Sequence, residues 1–543
     1  MILLLLSSVL IFSVLAGWGK IMEYFFGSLF DGISGSILSG ILGLSLIWTA
    51  LAFFIPINIY VEIPFLLSGV FFFFKKKLYQ KINSFSKKDI LLIGSISLLI
   101  LYSSSFYPYI LDHFGYYIPT IKWLTEYGLV KGISNLDFTL GQMSVWHIFQ
   151  AGFAGLSDPY LRINAILLII YTFYIFEKKS WIHLCFIPIL LLFSQSPSPD
   201  LPVITLSLII LNEIMTGNKN ISLLFAYAVF VFSIKPTMIW LPLMVFLCSV
   251  FIFKPNYKNW IIGTGILILF FIKNIWTFGY PVFPVAIGDF GFSWKPNPEV
   301  LKISSQYAIQ KTYDMQYSYG DIQKFSSYDV IRNWFTLEGI KSKINIIFIL
   351  SLAIFSVFAF IKKQKIISLI CISILIKSIL VLAFSAQYRF FLDVFFVIAF
   401  ILFIHFSKKN SLAFFSASSV LVIGILSFPN FIRQYIPSFR PGNFMAGLKK
   451  EQLYKPSAYH YNKFETFKTG NLKFNVSKDY PFNFDTPIPA ISVSYIFDDA
   501  KAGIFPQYID EKNIKKGFIW KKLTPDEKKE VQDIIHTIKN TDK

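Results

Sequence analysis

The chain is a succession of unbroken apolar runs, each about 17–20 residues long, which is what a hydrocarbon core about 30 Å thick asks of a helix rising about 1.5 Å per residue. The runs recur from residue 2 to residue 428 and are parted by short turns rich in lysine. They are continuous rather than alternating, so the strands of a membrane barrel are excluded. The composition agrees: 55% of the 543 residues are hydrophobic and 18% are aromatic, well above an ordinary soluble domain in aromatic content. The expected fold is an all-α polytopic membrane protein of about fourteen transmembrane helices.

The net charge of +19 raises the question of nucleic acid. The placement of the lysines answers it. Lys75-Lys76-Lys77, Lys87-Lys88, Lys178-Lys179, Lys219, Lys254 with Lys258, Lys362-Lys363 with Lys365, and Lys408-Lys409 all fall in alternate short loops. That is the pattern of loops held in the cytoplasm. The surplus charge records topology, and no nucleic-acid partner is expected. The chain's start, the loops 106–160 and 276–343, and the tail 429–543 then face outward. The expected setting is a bacterial inner membrane, with the N-terminus and the C-terminal domain periplasmic.

Three regions follow: N-terminal helices over 1–88, a transmembrane core over 89–428, and a small α+β domain over 429–543. Met1 to Trp18 lacks the basic start and the cleavage pattern of a signal peptide, so it reads as a retained first span. Cys185, Cys248 and Cys371 each lie inside an apolar run, as buried thiols do. In the tail, Thr524 and Glu527 predict the capped start of a helix over 525–539.

The chemistry concentrates in the outward loops. Asp112 and His113 close the span that ends near residue 106, and Tyr116, Tyr117 and Lys122 follow. Two amphipathic stretches, 121–128 and 141–153, are expected to lie along the membrane surface. A carboxylate there suits a base that deprotonates an acceptor hydroxyl; the plainer reading is a polar pair at the water boundary. Asp200 sits among Pro197, Pro199 and Pro202, where it either presents a second carboxylate or offsets a helix dipole. His147, with Gln142, is either an acceptor contact or simply interfacial.

Outward cations beside spans run against the positive-inside bias. Lys235, Lys273 with Asn274, and Arg389 are of this kind. Cations match phosphate oxygens, so a polyprenyl phosphate is the expected ligand; snorkelling, or pairing of Arg389 with Asp393, is the alternative. Lys377 falls in mid-span, where a charge faces a cavity or a partner; the alternative is a place nearer the interface. The candidate set is thus Asp112, His113 and Asp200 for catalysis, with Tyr116, Lys122, Lys235, Lys273, Asn274 and Arg389 for substrate and phosphate.

With those residues assembled, the chain resembles the GT-C superfamily of polytopic glycosyltransferases, and more narrowly a bacterial group of GT-C-like membrane proteins. The likeness is carried by Tyr116-Tyr117 through Trp123 to Gly128, Lys131 to Leu136, Lys273-Asn274 with Gly279 to Pro284, Trp294-Lys295-Pro296, Gln387 to Phe390, and Gly517-Phe518. The resemblance implies an inverting transfer from a polyprenyl-phosphate sugar to an outer-leaflet or periplasmic acceptor, with Asp112 as base and Arg389 on the phosphate. It leaves a divalent metal open and names no other cofactor. His113 stands where many members carry a second acid or an aromatic. Two alternatives stand beside this reading. One is a non-catalytic subunit of an envelope complex, binding a protein partner through the outer loops and tail. The other is a polysaccharide polymerase or ligase. Membrane lipids and a lipid-linked sugar are the expected partners in the main reading.

Overall fold

The computed structural model describes residues 1–253, 256–435 and 447–541; Lys254 and parts of the tail lie outside the described residues. The chain is mainly helical, with a small β region near its C-terminal end. Among the described residues, seven helices are long and apolar enough to cross a membrane: Ile2–Phe26, Ile33–Ala52, Pro236–Phe253, Tyr257–Phe278, Ile340–Lys362, Lys365–Phe384 and Lys408–Ser427.

This corrects the expected count of about fourteen. The remaining apolar runs fold into shorter or interrupted helices. Ile163–Lys178 and Asp200–Met215 have 16 residues each, Tyr388–Leu402 has 15 and Ile221–Ile234 has 14. A 16-residue helix is about 24 Å long, short of a core about 30 Å thick. The run at 181–196 breaks into a short α-helix, Ile187–Leu190, between two 3₁₀ turns. Lys87–Ser104 opens on Lys87, Lys88 and Asp89. Apolarity alone could not separate these cases, because several of the short helices are buried along most of their length by neighbouring helices.

The first long helix approaches both the second and the helix Ile59–Lys75 through small residues. A methyl group on Gly19 would stand 1.6 Å from the Ser36 carbonyl oxygen, and one on Gly17 would stand 1.9 Å from that of Gly69. Close backbone contact of this kind is how apolar helices gain packing where lipid offers no hydrophobic drive. All three cysteines are free and buried, as expected.

The two stretches expected on the membrane surface are instead interior. Ile121, Trp123 and Leu124 are buried, and every residue of Val145–Ala151 is buried. The first packs under the C-terminal unit, with Trp123 edge-on to Phe518, and the second packs among helices, with Phe149 and Phe153 against Trp48.

That unit contains two antiparallel hairpins. Strand β1 (Phe464–Thr469) pairs with β2 (Leu472–Ser477), and β3 (Ile504–Tyr508) pairs with β4 (Phe518–Lys522). The final helix, Pro525–Thr541, starts as expected: Glu527 N–H donates to Thr524 Oγ1 at 3.3 Å, and Thr524 N–H donates to Glu527 Oε2 at 2.8 Å. Buried Asp137 ties the unit down by accepting from Ser492 Oγ at 2.7 Å and Asn483 Nδ2 at 3.2 Å.

Several segments distant in sequence meet in one structural knot. Phe518 N–H donates to the Lys131 carbonyl at 3.0 Å, and Gly132 N–H donates to that of Trp276 at 2.8 Å. Asn135 Nδ2 donates to the Trp294 carbonyl at 2.7 Å, and Trp520 Nε1 to that of Lys295 at 3.0 Å. The Lys131 ammonium lies over the rings of Trp276 and Trp294, at 4.7 and 4.9 Å. Gly132 has φ +59°, and a methyl group there would meet the Phe518 carbonyl oxygen at 2.4 Å. Gly132→Ala should therefore destabilise the protein by about 1–3 kcal/mol. Thermal unfolding in detergent should show the loss, and limited proteolysis should cut the C-terminal unit free earlier.

Candidate functional site

The chain leaves the helix Lys87–Ser104 through an irregular stretch and enters a wide π-type turn over His113–Tyr117. Such turns are uncommon and recur at functional sites. Asp112 stands at its start. The Arg389 guanidinium, from the first turn of Tyr388–Leu402, donates to Asp112 Oδ2 at 2.9 Å. The two side chains are 31% and 39% exposed, so the pair is open to solvent on one side.

A second pair lies deeper. The Lys235 ammonium bridges Asp200 and the Arg389 carbonyl oxygen, the latter at 3.3 Å. Asp200 also accepts from Ser198 Oγ at 3.2 Å. A third pair is closed off: Lys377 donates to Asp393, one turn below Arg389, and Trp240 Nε1 donates to the other Asp393 oxygen at 2.8 Å. Three acid–base pairs thus step inward from the surface, and each carboxylate is matched by one cation. Arg389 pairs with Asp112 rather than with Asp393, and Asp393 supplies the partner that the depth of Lys377 requires.

Asp200 is the first residue of its helix, where its charge offsets the helix dipole, and it accepts from Lys235. The rigid proline-flanked turn delivers it to Lys235.

A further cation, Lys311, comes from the helix Pro298–Thr312. Partial burial, then the charge of Arg389, hold its ammonium below the usual lysine range, and Asp112 opposes the shift. Lys311 forms no salt bridge among the described residues. It gives the cluster a net positive charge. Nothing in the sequence flagged it, because it lies in a polar loop among other lysines.

Behind the pairs sits an aromatic wall. Tyr116 feels the Asp112 charge, and burial followed by that charge pushes its phenol well above the usual range. His147 is fully buried with its ring 4.8 Å from that of Tyr117. Burial draws it down to about 3, so it is neutral at neutral pH. His113 is also buried and held well below the usual histidine range, by burial first and then by Arg162 and His147. It packs edge-on against Phe114 and makes no hydrogen bond to Asp112 among the described residues. The structure therefore separates the two residues that are adjacent in sequence.

The remaining candidates are committed elsewhere. Lys273 donates to the carbonyls of Gln142 and Met143 at 2.7 and 3.0 Å. Asn274 donates to the Pro281 carbonyl at 2.7 Å. Lys122 donates to the carbonyls of Asp485 and Thr486, both at 3.1 Å, and so anchors the C-terminal unit. These three hold loops in place around the site.

Among the described residues, no three His, Cys, Asp or Glu side chains stand together as metal ligands require. The carboxylates of the site each face a cation. The residues present do not fit a divalent metal, and no step is assigned to one. A cavity of about 330 Å³ opens in the C-terminal unit beside Glu465, Lys478 and Tyr480, and its lining contains none of the paired residues.

The fold and the paired charges define a polytopic helical membrane protein with a polar site where its loops converge. The family model for a domain of unknown function, DUF8201, matches residues 1–396, and the chain belongs to that family. The match includes the first helices and all three charge pairs, and it ends before the C-terminal unit. No curated protein and no solved structure matches the chain.

Proposed function

We propose that the protein is an inner-membrane glycosyltransferase of GT-C type, with its site facing the periplasm, which moves a sugar from a polyprenyl-phosphate donor to an outer-leaflet or periplasmic acceptor. The observation that carries this reading is the half-open Asp112–Arg389 pair, backed by Asp200–Lys235 and flanked by Lys311. Arg389 uses one guanidinium nitrogen on Asp112, which leaves donors for a phosphate oxygen. Asp112, released as the phosphate engages Arg389, accepts the proton of the acceptor hydroxyl. Lys235 keeps Asp200 in register and supports the Arg389 backbone. Phosphate charge that grows as the sugar departs meets Arg389 and Lys311.

Lys311 supplies a pH signature. Its protonated form binds phosphate, and its proton leaves at lower pH than that of an ordinary lysine. Affinity for a polyprenyl phosphate should fall as pH rises through that lowered range. Lys311→Arg should flatten the profile, because a guanidinium stays charged throughout. Titrating binding between pH 7 and 10 decides it, and an unchanged profile removes Lys311 from the site.

A second reading, a non-catalytic subunit of an envelope complex, is favoured by one observation: every acid of the site is already neutralised by a cation within the chain. It expects Asp112 substitutions to be silent, and a stoichiometric protein partner to copurify in mild detergent.

A further inference from the structure

We infer that the helix Ser327–Phe335 lies in the lipid headgroup boundary and anchors the turn that carries Arg389, so that contact with the bilayer holds the site in shape. The helix is short, strongly amphipathic and well capped: Ser326 and Asp329 form a reciprocal capping box at its start. One face is spoken for. Buried Trp334 donates from Nε1 to the Ala386 carbonyl at 3.1 Å, and its own carbonyl accepts from Asn345 Nδ2 at 2.9 Å.

The row beside it is open. Tyr328 and Ile331, three residues apart, are 70% and 60% exposed.

The position of the helix names what covers that face. The membrane-crossing helix Ile340–Lys362 begins only a few residues later. Asn345, which holds the Trp334 carbonyl, lies five residues into it, about 8 Å along its axis. The short helix is therefore fixed at the depth where its long neighbour enters the bilayer. Ile346, Ile347, Leu350, Ile354 and Val357 form the exposed apolar side of that neighbour. Tyr and aliphatic side chains on one face, with Lys324, Arg332 and Lys343 exposed around them, suit an interface between acyl chains and headgroups.

The link to the site is direct. Ala386 lies three residues before Arg389, and Trp334 grips its carbonyl. Ser385 Oγ donates to the Ala308 carbonyl at 2.9 Å, and Tyr313 Oη to that of Val330 at 3.2 Å. The helix bearing Lys311, the lipid-seated helix and the Arg389 turn thus form one hydrogen-bonded group. None of this requires sugar transfer, so it stands or falls apart from the proposed reaction.

The test uses the full chain with Cys185, Cys248 and Cys371 replaced by alanine. A single cysteine at Ile331, Tyr328, Val357 or Lys512 carries an environment-sensitive fluorophore, and the protein is placed in phosphatidylethanolamine–phosphatidylglycerol vesicles. Probes at 331 and 328 should emit blue-shifted light and be quenched best by a spin label near the headgroups. The Val357 probe should respond to a deep label and the Lys512 probe to neither. Water-like, unquenched emission at 331 and 328 overturns the inference. So does blue-shifted emission without lipid quenching, which would mean that a protein or a second copy covers the face. Ile331→Asp should also speed hydrogen exchange at residues 385–389; unchanged exchange there overturns the link to Arg389.

Discussion

Replacing Asp112 by Asn should lower sugar transfer from a polyprenyl-phosphate donor by about 10²–10⁴-fold, the range a positioned general base contributes. Asn keeps the shape and can still accept from Arg389, but it cannot take the acceptor's proton. The fold should survive, since the ion pair is partly exposed and pairs of that kind contribute about 0–1 kcal/mol. Arg389→Ala should weaken binding of the donor phosphate, and Arg389→Lys should restore only part of it, because an ammonium lacks the planar fork that a guanidinium offers to phosphate oxygens. Transfer is to be assayed in vesicles with protein levels matched by immunoblot. Full activity in both Asp112→Asn and Arg389→Ala would remove the transferase assignment and leave the subunit reading.

Arg162→Ala should be the more damaging change to the protein itself. Arg162 is 2% exposed and forms no salt bridge with a carboxylate side chain among the described residues. Its guanidinium instead donates to four backbone carbonyls: Ser104 at 2.9 Å, Ser457 at 2.8 Å, Phe106 at 3.4 Å, and Tyr160. Each buried acceptor left without a donor costs about 1–3 kcal/mol. Losing all four bonds approaches the whole stability of an ordinary domain, about 5–15 kcal/mol. The variant should fail to accumulate as a monodisperse protein in detergent, as seen by fluorescence-detected size exclusion. Arg162→Lys should rescue little, since three donors on one nitrogen cannot reach four carbonyls in three directions. Normal yield and melting temperature for Arg162→Ala would show that water replaces the guanidinium.

Much of this molecule can be read from its residues, and the failures have identifiable causes. Class follows from run length, because the surrounding solvent dictates it. The number of crossings does not, because a helix buried by other helices is as apolar as one buried by lipid; Ile163–Lys178 and Asp200–Met215 are of this kind. Asp112, Asp200, Lys235 and Arg389 were each legible as charges out of place, but their pairing was not. It depends on contacts between residues as far apart as 112 and 389. His113 and Asp112 are adjacent in sequence, yet a turn sends their side chains to different surroundings. Lys122, Lys273 and Asn274 looked like ligand contacts because an unpaired polar group and one serving a remote carbonyl are identical in sequence.

Arg162 also bears on how the protein is made. Ser457 accepts from its guanidinium and returns a hydrogen bond from its own N–H to the Ser105 carbonyl, at 2.8 Å. The partners are 295 residues apart, a stretch that a ribosome needs roughly 15–60 s to translate. For that interval a buried cation must be held by Ser104, Phe106 and Tyr160 alone. The early helices therefore wait half-sealed for the C-terminal unit, and a chain stalled or cut before Ser457 should be a ready substrate for membrane quality-control proteases.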